Sequence, residues 1–171
     1  MILTDDEITT RARRIRVLAF DVDGVCTDGR LYYGPNGCAL HAFHARDGLG
    51  LVRARVAGLV CAAISGRSSP NVDARLGELK VPFIRQGVGD KDVCLNEILA
   101  QVGASVEETC YVGDDVNDLS VMRLVGLSIA PADAEPAVLA EAMLVTERTG
   151  GTGVLREVVE RVLTAQGRWK T

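Results

Sequence analysis

The chain has 171 residues, 47% of them apolar and 25% charged, with a formal net charge of -4. That size and apolar content suit a single domain over 1–171 with a sizeable core and exclude a disordered chain. The acidic balance argues against nucleic acid, which is held through clustered Lys and Arg. No apolar run is long enough to cross a membrane, and the polar stretch Met1 to Arg14 has no apolar signal core, so a cytoplasmic protein is expected.

A short polar helix is expected over 4–14, with Thr4 and Glu7 spaced as a capping box. Ile15 to Ala19 is a mostly apolar run that reads as a buried strand. It stops in Phe20-Asp21-Val22-Asp23-Gly24-Val25-Cys26-Thr27-Asp28-Gly29. Two carboxylates one residue apart at the end of a buried strand repel one another. A divalent cation is the natural compensation, because hard cations take oxygen ligands. The plainer reading is an acidic solvated loop.

A β-hairpin follows, with arms Leu31 to Tyr33 and Ala39 to Phe43 about a Gly34-Pro35-Asn36-Gly37 turn. Such a flap, about 30–43, suits either covering a site or forming a subunit interface. Asp47 is placed to cap a helix over Gly48 to Ala57, with Leu49, Val52 and Val56 spaced for a core face. Leu59 to Ile64 is a second buried strand, ending in Ser65-Gly66-Arg67. Pro70 to Leu79 reads as a helix, Val81 to Ile84 as a short strand, and Lys91 opens a helix to about Val102.

Glu108 to Val112 is the fourth strand and runs into Gly113-Asp114-Asp115-Val116-Asn117-Asp118, with a helix to Val125. A short strand (Gly126 to Ala130), a helix (Pro136 to Ala142), a last strand (Met143 to Val145) and a helix (Val154 to Ala165) complete the pattern. Gly150, Gly151 and Gly153 precede the last helix, either as a plain loop or as backbone brought near a ligand. The tail, 166–171, holds the lone Trp169, read as an anchor or as part of a loose end. The five cysteines, Cys26, Cys38, Cys61, Cys94 and Cys110, match no zinc spacing and suit reduced thiols.

Buried strands alternating with helices predict an α/β fold: a Rossmann-like three-layer sandwich around a central parallel sheet, uncapped, with a small hairpin insert. In such folds ligands bind beyond the carboxyl ends of the strands. There the chain delivers Asp21 and Asp23, then Ser65 and Arg67, then Lys91, then Asp114, Asp115 and Asp118. A Ser-Gly ending a strand is often a turn, a Lys opening a helix is usually solvated, and Asp-Asp before a helix is often a cap. All four at successive strand ends are hard to explain as turn chemistry.

This order resembles the haloacid dehalogenase superfamily of phosphotransferases. More narrowly, Asp21 to Gly29, Arg46-Asp47-Gly48, Ser65-Gly66-Arg67, Tyr111 to Asp115, Ala130 to Ala134 and Gly150 to Glu157 run as in the 3-deoxy-D-manno-octulosonate 8-phosphate phosphatases. Departures are Cys26 where Leu is usual, Ser65 where Thr is common, and no Lys shortly after Arg67. The resemblance implies Asp21 as nucleophile and Asp23 as general acid and base. It implies Mg²⁺ held by Asp21, the Asp23 carbonyl and Asp114, with Ser65 and Lys91 on the phosphoryl oxygens.

Asp115 and Asp118 are supporting acids, Asp115 equally readable as a solvated acid at a helix start. Arg67, Gly66 and Thr27 are expected on the substrate, Arg67 pairing with a sugar-acid carboxylate. His41 and His44 are expected in packing or interface roles, because this chemistry needs no His. The substrate implied is a small-molecule sugar phosphate and the assembly a homotetramer whose hairpins wall neighbouring sites. Competing readings are a phosphatase for another keto-sugar acid phosphate of the sialic-acid type, a phospho-accepting signalling domain, and a non-catalytic oligomerisation module.

Overall fold

The computed structural model describes residues 3–169, apart from the side chains of Cys38 and Ala39. The end of the expected tail, 170–171, and the Cys38 thiol therefore lie outside the described residues. The strands are β1 (Val17–Phe20), β2 (Tyr32–Gly34), β3 (Gly37–Leu40), β4 (Val60–Ile64), β5 (Phe83–Arg85), β6 (Thr109–Val112), β7 (Leu127–Ala130) and β8 (Leu144–Val145). The helices are α1 (Asp5–Ala12), α2 (Ala45–Val56), α3 (Pro70–Glu78), α4 (Lys91–Val102), α5 (Leu119–Met122), α6 (Pro136–Glu141) and α7 (Val154–Ala165).

Six strands form one sheet in the order β5-β4-β1-β6-β7-β8. Every neighbour in it is parallel. β2 and β3 form the separate antiparallel hairpin. β1 is paired on both edges and fully buried, which is why its sequence is a continuous apolar run and not an alternation. Along it, Leu18 and Phe20 join a core with α1, α2, α3 and α7, while Val17 and Ala19 join a core with α4, α5 and α6. The two-residue period of the strand thus divides the helices into two layers. After β5 the chain returns across β1 to lay down β6, so the strand order reverses beside β1, where ligand crevices open in such sheets.

Two expectations need correction. Helix α2 begins at Ala45, and His44 caps it by accepting the Arg46 N–H at 3.0 Å on Nδ1. The inner face of α2 is not Leu49, Val52 and Val56: Leu49 and Val56 are 49% and 76% exposed. Leu51 and Ala54 point inward instead, with Gly50 between them and α7. A Cβ on Gly50 would lie 2.9 Å from Arg156 Cα, so α2 meets α7 nearly backbone to backbone. Hydrophobic spacing misreads a face built from glycine and alanine.

Asp47 lies in the first turn of α2, buried, and caps a different helix: its Oδ1 accepts the Arg156 N–H at 3.0 Å. Gly153, which precedes α7, has no side chain to do so. Burial pushes the Asp47 carboxyl up despite this bond. The second correction is α5, which ends at Met122 rather than Val125 after a 3₁₀ turn over Val116–Asp118. Gly126 then packs on Glu107, where a Cβ would meet the carbonyl oxygen at 2.0 Å, so the chain turns early into β7.

Trp169 is anchored. The guanidinium carbons of Arg53 on α2 and Arg156 on α7 each stand 4.6 Å from its ring centroid.

Candidate active site

Asp21 extends the sheet one residue past β1, its N–H donating to Val112 O at 2.9 Å. The chain then turns tightly, with the N–H groups of Val25, Cys26 and Thr27 all directed at Val22 O. This turn is fixed from outside by the Gly150-Gly151 loop. Gly151 N–H donates to Val25 O at 3.0 Å, and a Cβ on Gly150 would meet Gly24 O at 2.0 Å. Those glycines therefore bring backbone to the acidic loop. Gly24 has φ +84°, and a Cβ there would sit 1.9 Å from Asp114 Oδ2, so the loop passes directly over the second acidic strand end.

Ser65 follows β4, still paired through its N–H to Arg85 O at 2.8 Å, and its hydroxyl accepts the Arg67 N–H at 3.2 Å. Lys91, the first residue of α4, is 2% exposed. Its Nζ donates to Asp118 Oδ1 at 2.7 Å and stands 3.0 Å from Asp21 Oδ1 as an ion pair. Asp21 Oδ1 is buried against that ammonium. Burial works to discharge the ammonium, but the two facing carboxylates outweigh it and raise the Lys91 pKa.

Asp118 is wholly buried and saturated. Besides Lys91, Tyr111 donates to Oδ1 at 2.7 Å, and the N–H groups of Asp114 and Asp115 donate to Oδ2 at 3.0 and 3.3 Å. Asp118 therefore sets the position of Lys91 and of the Asp114-Asp115 turn. The Tyr111 hydroxyl was not foreseen; a tyrosine within a buried strand is the only sequence signal for it. Asp115 caps its own turn, accepting the Val116 N–H at 2.6 Å.

These elements enclose a cleft of about 240 Å³ lined by Asp21, Asp23, Ser65, Gly66, Arg67 and Asp114, with Gly24, Gly29, Asp115 and Asn117. Larger hollows beside α1 and α7 are lined by mixed acids and bases with no converging set. Thr27 is not brought to the cleft. It is fully buried, its hydroxyl directed at Val22 O and accepting the Gly29 N–H at 3.2 Å. Asn117 was not anticipated; its amide nitrogen faces Gly66 across the opening. Arg67, with 46% of its side chain exposed, holds Asp23 Oδ2 at 3.6 Å from Nε and donates to Tyr33 Oη at 3.1 Å.

Asp21, Asp114 and Asp118 each offer a carboxylate oxygen within 4.8 Å of the others. Burial, then the Asp118 charge, pushes Asp21 up to about 7. Burial, then the charges of Asp21, Asp118 and Asp115, pushes Asp114 up to about 8. Asp114 Oδ1 is buried with no hydrogen-bond partner. Two crowded acids with an orphaned buried oxygen suit a hard divalent cation.

The profile of the haloacid dehalogenase-like hydrolases matches residues 78–158. The 3-deoxy-D-manno-octulosonate 8-phosphate phosphatase KdsC of Salmonella typhi is 41% identical over 161 residues, covering 94% of this chain and 86% of the relative. This chain belongs to the 3-deoxy-D-manno-octulosonate 8-phosphate phosphatase family. The crystal structure of the Yersinia pestis member superposes with a TM-score of 0.93 at 41% identity, covering 95% of this chain and 88% of that one. The Moraxella catarrhalis member, solved with magnesium ion, phosphate ion and KDO, superposes with a TM-score of 0.92 at 38% identity, covering 95% and 93%. Against this family, the helices and six-stranded sheet are the expected Rossmann-like arrangement. Among the described residues no helix is long and apolar enough to cross a membrane.

Proposed function

We propose that this protein hydrolyses 3-deoxy-D-manno-octulosonate 8-phosphate to the free sugar acid and phosphate, in the cytoplasm, as a step toward lipopolysaccharide. The carrying observation is the cleft: Asp21 and Asp23 after β1, the Ser65 hydroxyl after β4 and Asp114 after β6 line it, and the buried Lys91 ammonium at the start of α4 stands against Asp21. Asp21 Oδ attacks phosphorus, the bond to the sugar oxygen breaks, and Asp23 gives that oxygen its proton. Asp23 then takes a proton from the water that cleaves the aspartyl-phosphate, returning Asp21 and releasing phosphate.

Ser65 and Lys91 hold the phosphoryl oxygens, and Asp118 holds Lys91. Asp21, Asp114 and the Asp23 carbonyl are the residues that hold Mg²⁺, which when bound supplies positive charge against the dianionic ester. A phospho-accepting signalling domain keeps its aspartyl-phosphate; Asp23, in the cleft and 21% exposed at its side chain, is the base that removes it.

Phosphate release from this ester, from a sialic-acid-type 9-phosphate and from glucose 6-phosphate, each with and without Mg²⁺, tests the reading. Release is expected to require Mg²⁺ and to favour the octulosonate ester. Arg67→Ala is expected to raise KM for the keto-acid esters by about 5- to 10-fold, through loss of a guanidinium–carboxylate pair, with a smaller effect on glucose 6-phosphate, which senses only the loss of the Arg67–Asp23 contact. Equal use of glucose 6-phosphate rejects the substrate class and leaves the phosphatase chemistry standing.

The assembly is a homotetramer whose hairpins wall adjoining clefts. Tyr32, Tyr33 and Leu40 on the hairpin are 48%, 67% and 64% exposed, an apolar surface in need of cover. Sedimentation is expected to give a fourfold mass for wild type and a smaller species for Leu40→Asp. A wild-type monomer at micromolar concentration rejects the tetramer.

A further inference from the structure

The hairpin does something inside its own subunit that the sequence does not announce. His41 follows β3, and its side chain is 2% exposed. Its Nε2 stands 3.6 Å from Asp23 Oδ1, while Nδ1 lies 3.4 Å from both Ser69 Oγ and Asn71 Nδ2 at the start of α3. Ser69 is itself fixed as the cap of α3, accepting the Asn71 N–H at 3.3 Å. Phe43 stacks on the imidazole, with centroids 6.2 Å apart. The ring is thus gripped on one edge by α3 and presents the other edge to Asp23.

The opposite oxygen of Asp23 faces Arg67, and Arg67 leads back to the hairpin through Tyr33. Both oxygens of the acid/base are therefore answered by groups that the hairpin supplies or holds. Asp23 Oδ1 is buried and makes no hydrogen bond, so the accessible edge of the carboxylate is Oδ2. At 3.6 Å the imidazole is one small rotation short of bonding Oδ1, the looseness usual before substrate tightens a site.

We propose that His41 is a positioning residue for Asp23: it holds Oδ1 against the α3 cap and so leaves Oδ2 as the oxygen that exchanges the proton with the leaving group. This rests on the reading of Asp23 as general acid and base. An acid that must first donate and then accept at one point in space depends on a fixed rotamer. His41 acts through Asp23 and requires no contact with substrate. The hairpin is then an internal brace for the proton-transfer group as well as a wall.

The test compares esters that differ in their need for an acid. An alkyl phosphate such as the sugar ester must have its leaving oxygen protonated; 4-nitrophenyl phosphate releases a stable phenolate and hardly needs it. His41→Phe, which keeps the ring and its stacking, and His41→Ala are compared with wild type by kcat/KM, which reports the first chemical step. For the sugar ester a loss of about 10- to 100-fold is expected, and for 4-nitrophenyl phosphate less than about 3-fold. In an Asp23→Asn background, removing His41 is expected to cost less than about 2-fold more, since the group it positions is gone.

Equal losses on the two esters overturn the proposal, because a merely structural defect does not sense the leaving group. A full additional loss in the Asp23→Asn background overturns it as well. Undiminished sugar-ester hydrolysis by Asp23→Asn alone overturns the acid/base reading itself, and the positioning role with it.

Discussion

Asp21→Asn is expected to hydrolyse the octulosonate ester at least on the order of 10⁴-fold more slowly than wild type, yet to melt higher than wild type in EDTA. The first half follows from chemistry. The amide is no nucleophile, and in the proposed mechanism Asp21 is the group that forms the acyl phosphate; phosphate release and trapping of a phosphorylated chain measure it. The second half follows from the cost of the carboxylate. Burial and the Asp118 charge raise the Asp21 pKa to about 7, so together they outweigh the attraction of Lys91. An acid with a raised pKa favours the fold most when protonated in both states, below its ordinary value of 3.8, and that favour is lost as pH climbs through about 7.

Asp114, raised to about 8, follows the same sign. The metal-free wild type should therefore lose stability between roughly pH 4 and pH 8. The asparagine variant escapes the Asp21 share of that loss, with a melting gain on the order of 5 °C at pH 8.5 and a smaller one at pH 5.5. Mg²⁺ should raise the wild-type melting temperature more at pH 8.5 than at pH 5.5, since protons compete for the same oxygens. A variant that melts lower than wild type in EDTA at pH 8.5 would show that the Lys91 pair outweighs the crowding.

The strand ends were legible because each couples an apolar run to an abrupt polar stop. Val17–Phe20 and Thr109–Val112 are fully buried runs that end in Asp21 and in Gly113-Asp114, and parallel pairing carries both to the same edge. What escaped the sequence depends on contacts between distant segments. His41 meets Asp23 only because the hairpin folds back over the loop that precedes it, and nothing local in His41-Ala42-Phe43 signals that return. The inner face of α2 was misread because glycine packs as core without being hydrophobic, as Gly50 does against Arg156. Asp47 reads from the sequence as a cap for its own helix and caps α7 instead, since a carboxylate in the first turn of a helix can reach an N-terminus packed beside it. Thr27 shares the acidic loop but turns inward, its hydroxyl spent on Val22 O and the Gly29 N–H.

Lys91→Met should separate what the ammonium does for the fold from what it does for the reaction. The side chain is buried between Asp21 and Asp118, and methionine fills much of the same volume without charge. Removing one partner of a buried ion cluster leaves the others uncompensated, at a cost of about 3–5 kcal/mol. For a chain of this size that is a drop in melting temperature on the order of 10 °C. Asp118 retains the Tyr111 hydroxyl and two backbone N–H donors, so the larger share of the defect falls on Asp21 and on the crowding among the acids. Adding Asp118→Asn removes one of those charges while preserving most of the hydrogen-bond geometry. The double variant should therefore recover a substantial part of the lost melting temperature, a non-additivity that a calorimetric double-mutant cycle reads directly. Activity should not return with it. In the proposed mechanism the phosphoryl oxygens then lack their cationic partner, and phosphate release should stay at least about 10³-fold below wild type in both variants. Recovery of activity along with stability would mean that Lys91 serves only to neutralise its neighbours. Failure of the double variant to recover stability would mean that the loss comes from packing around the lysine stem.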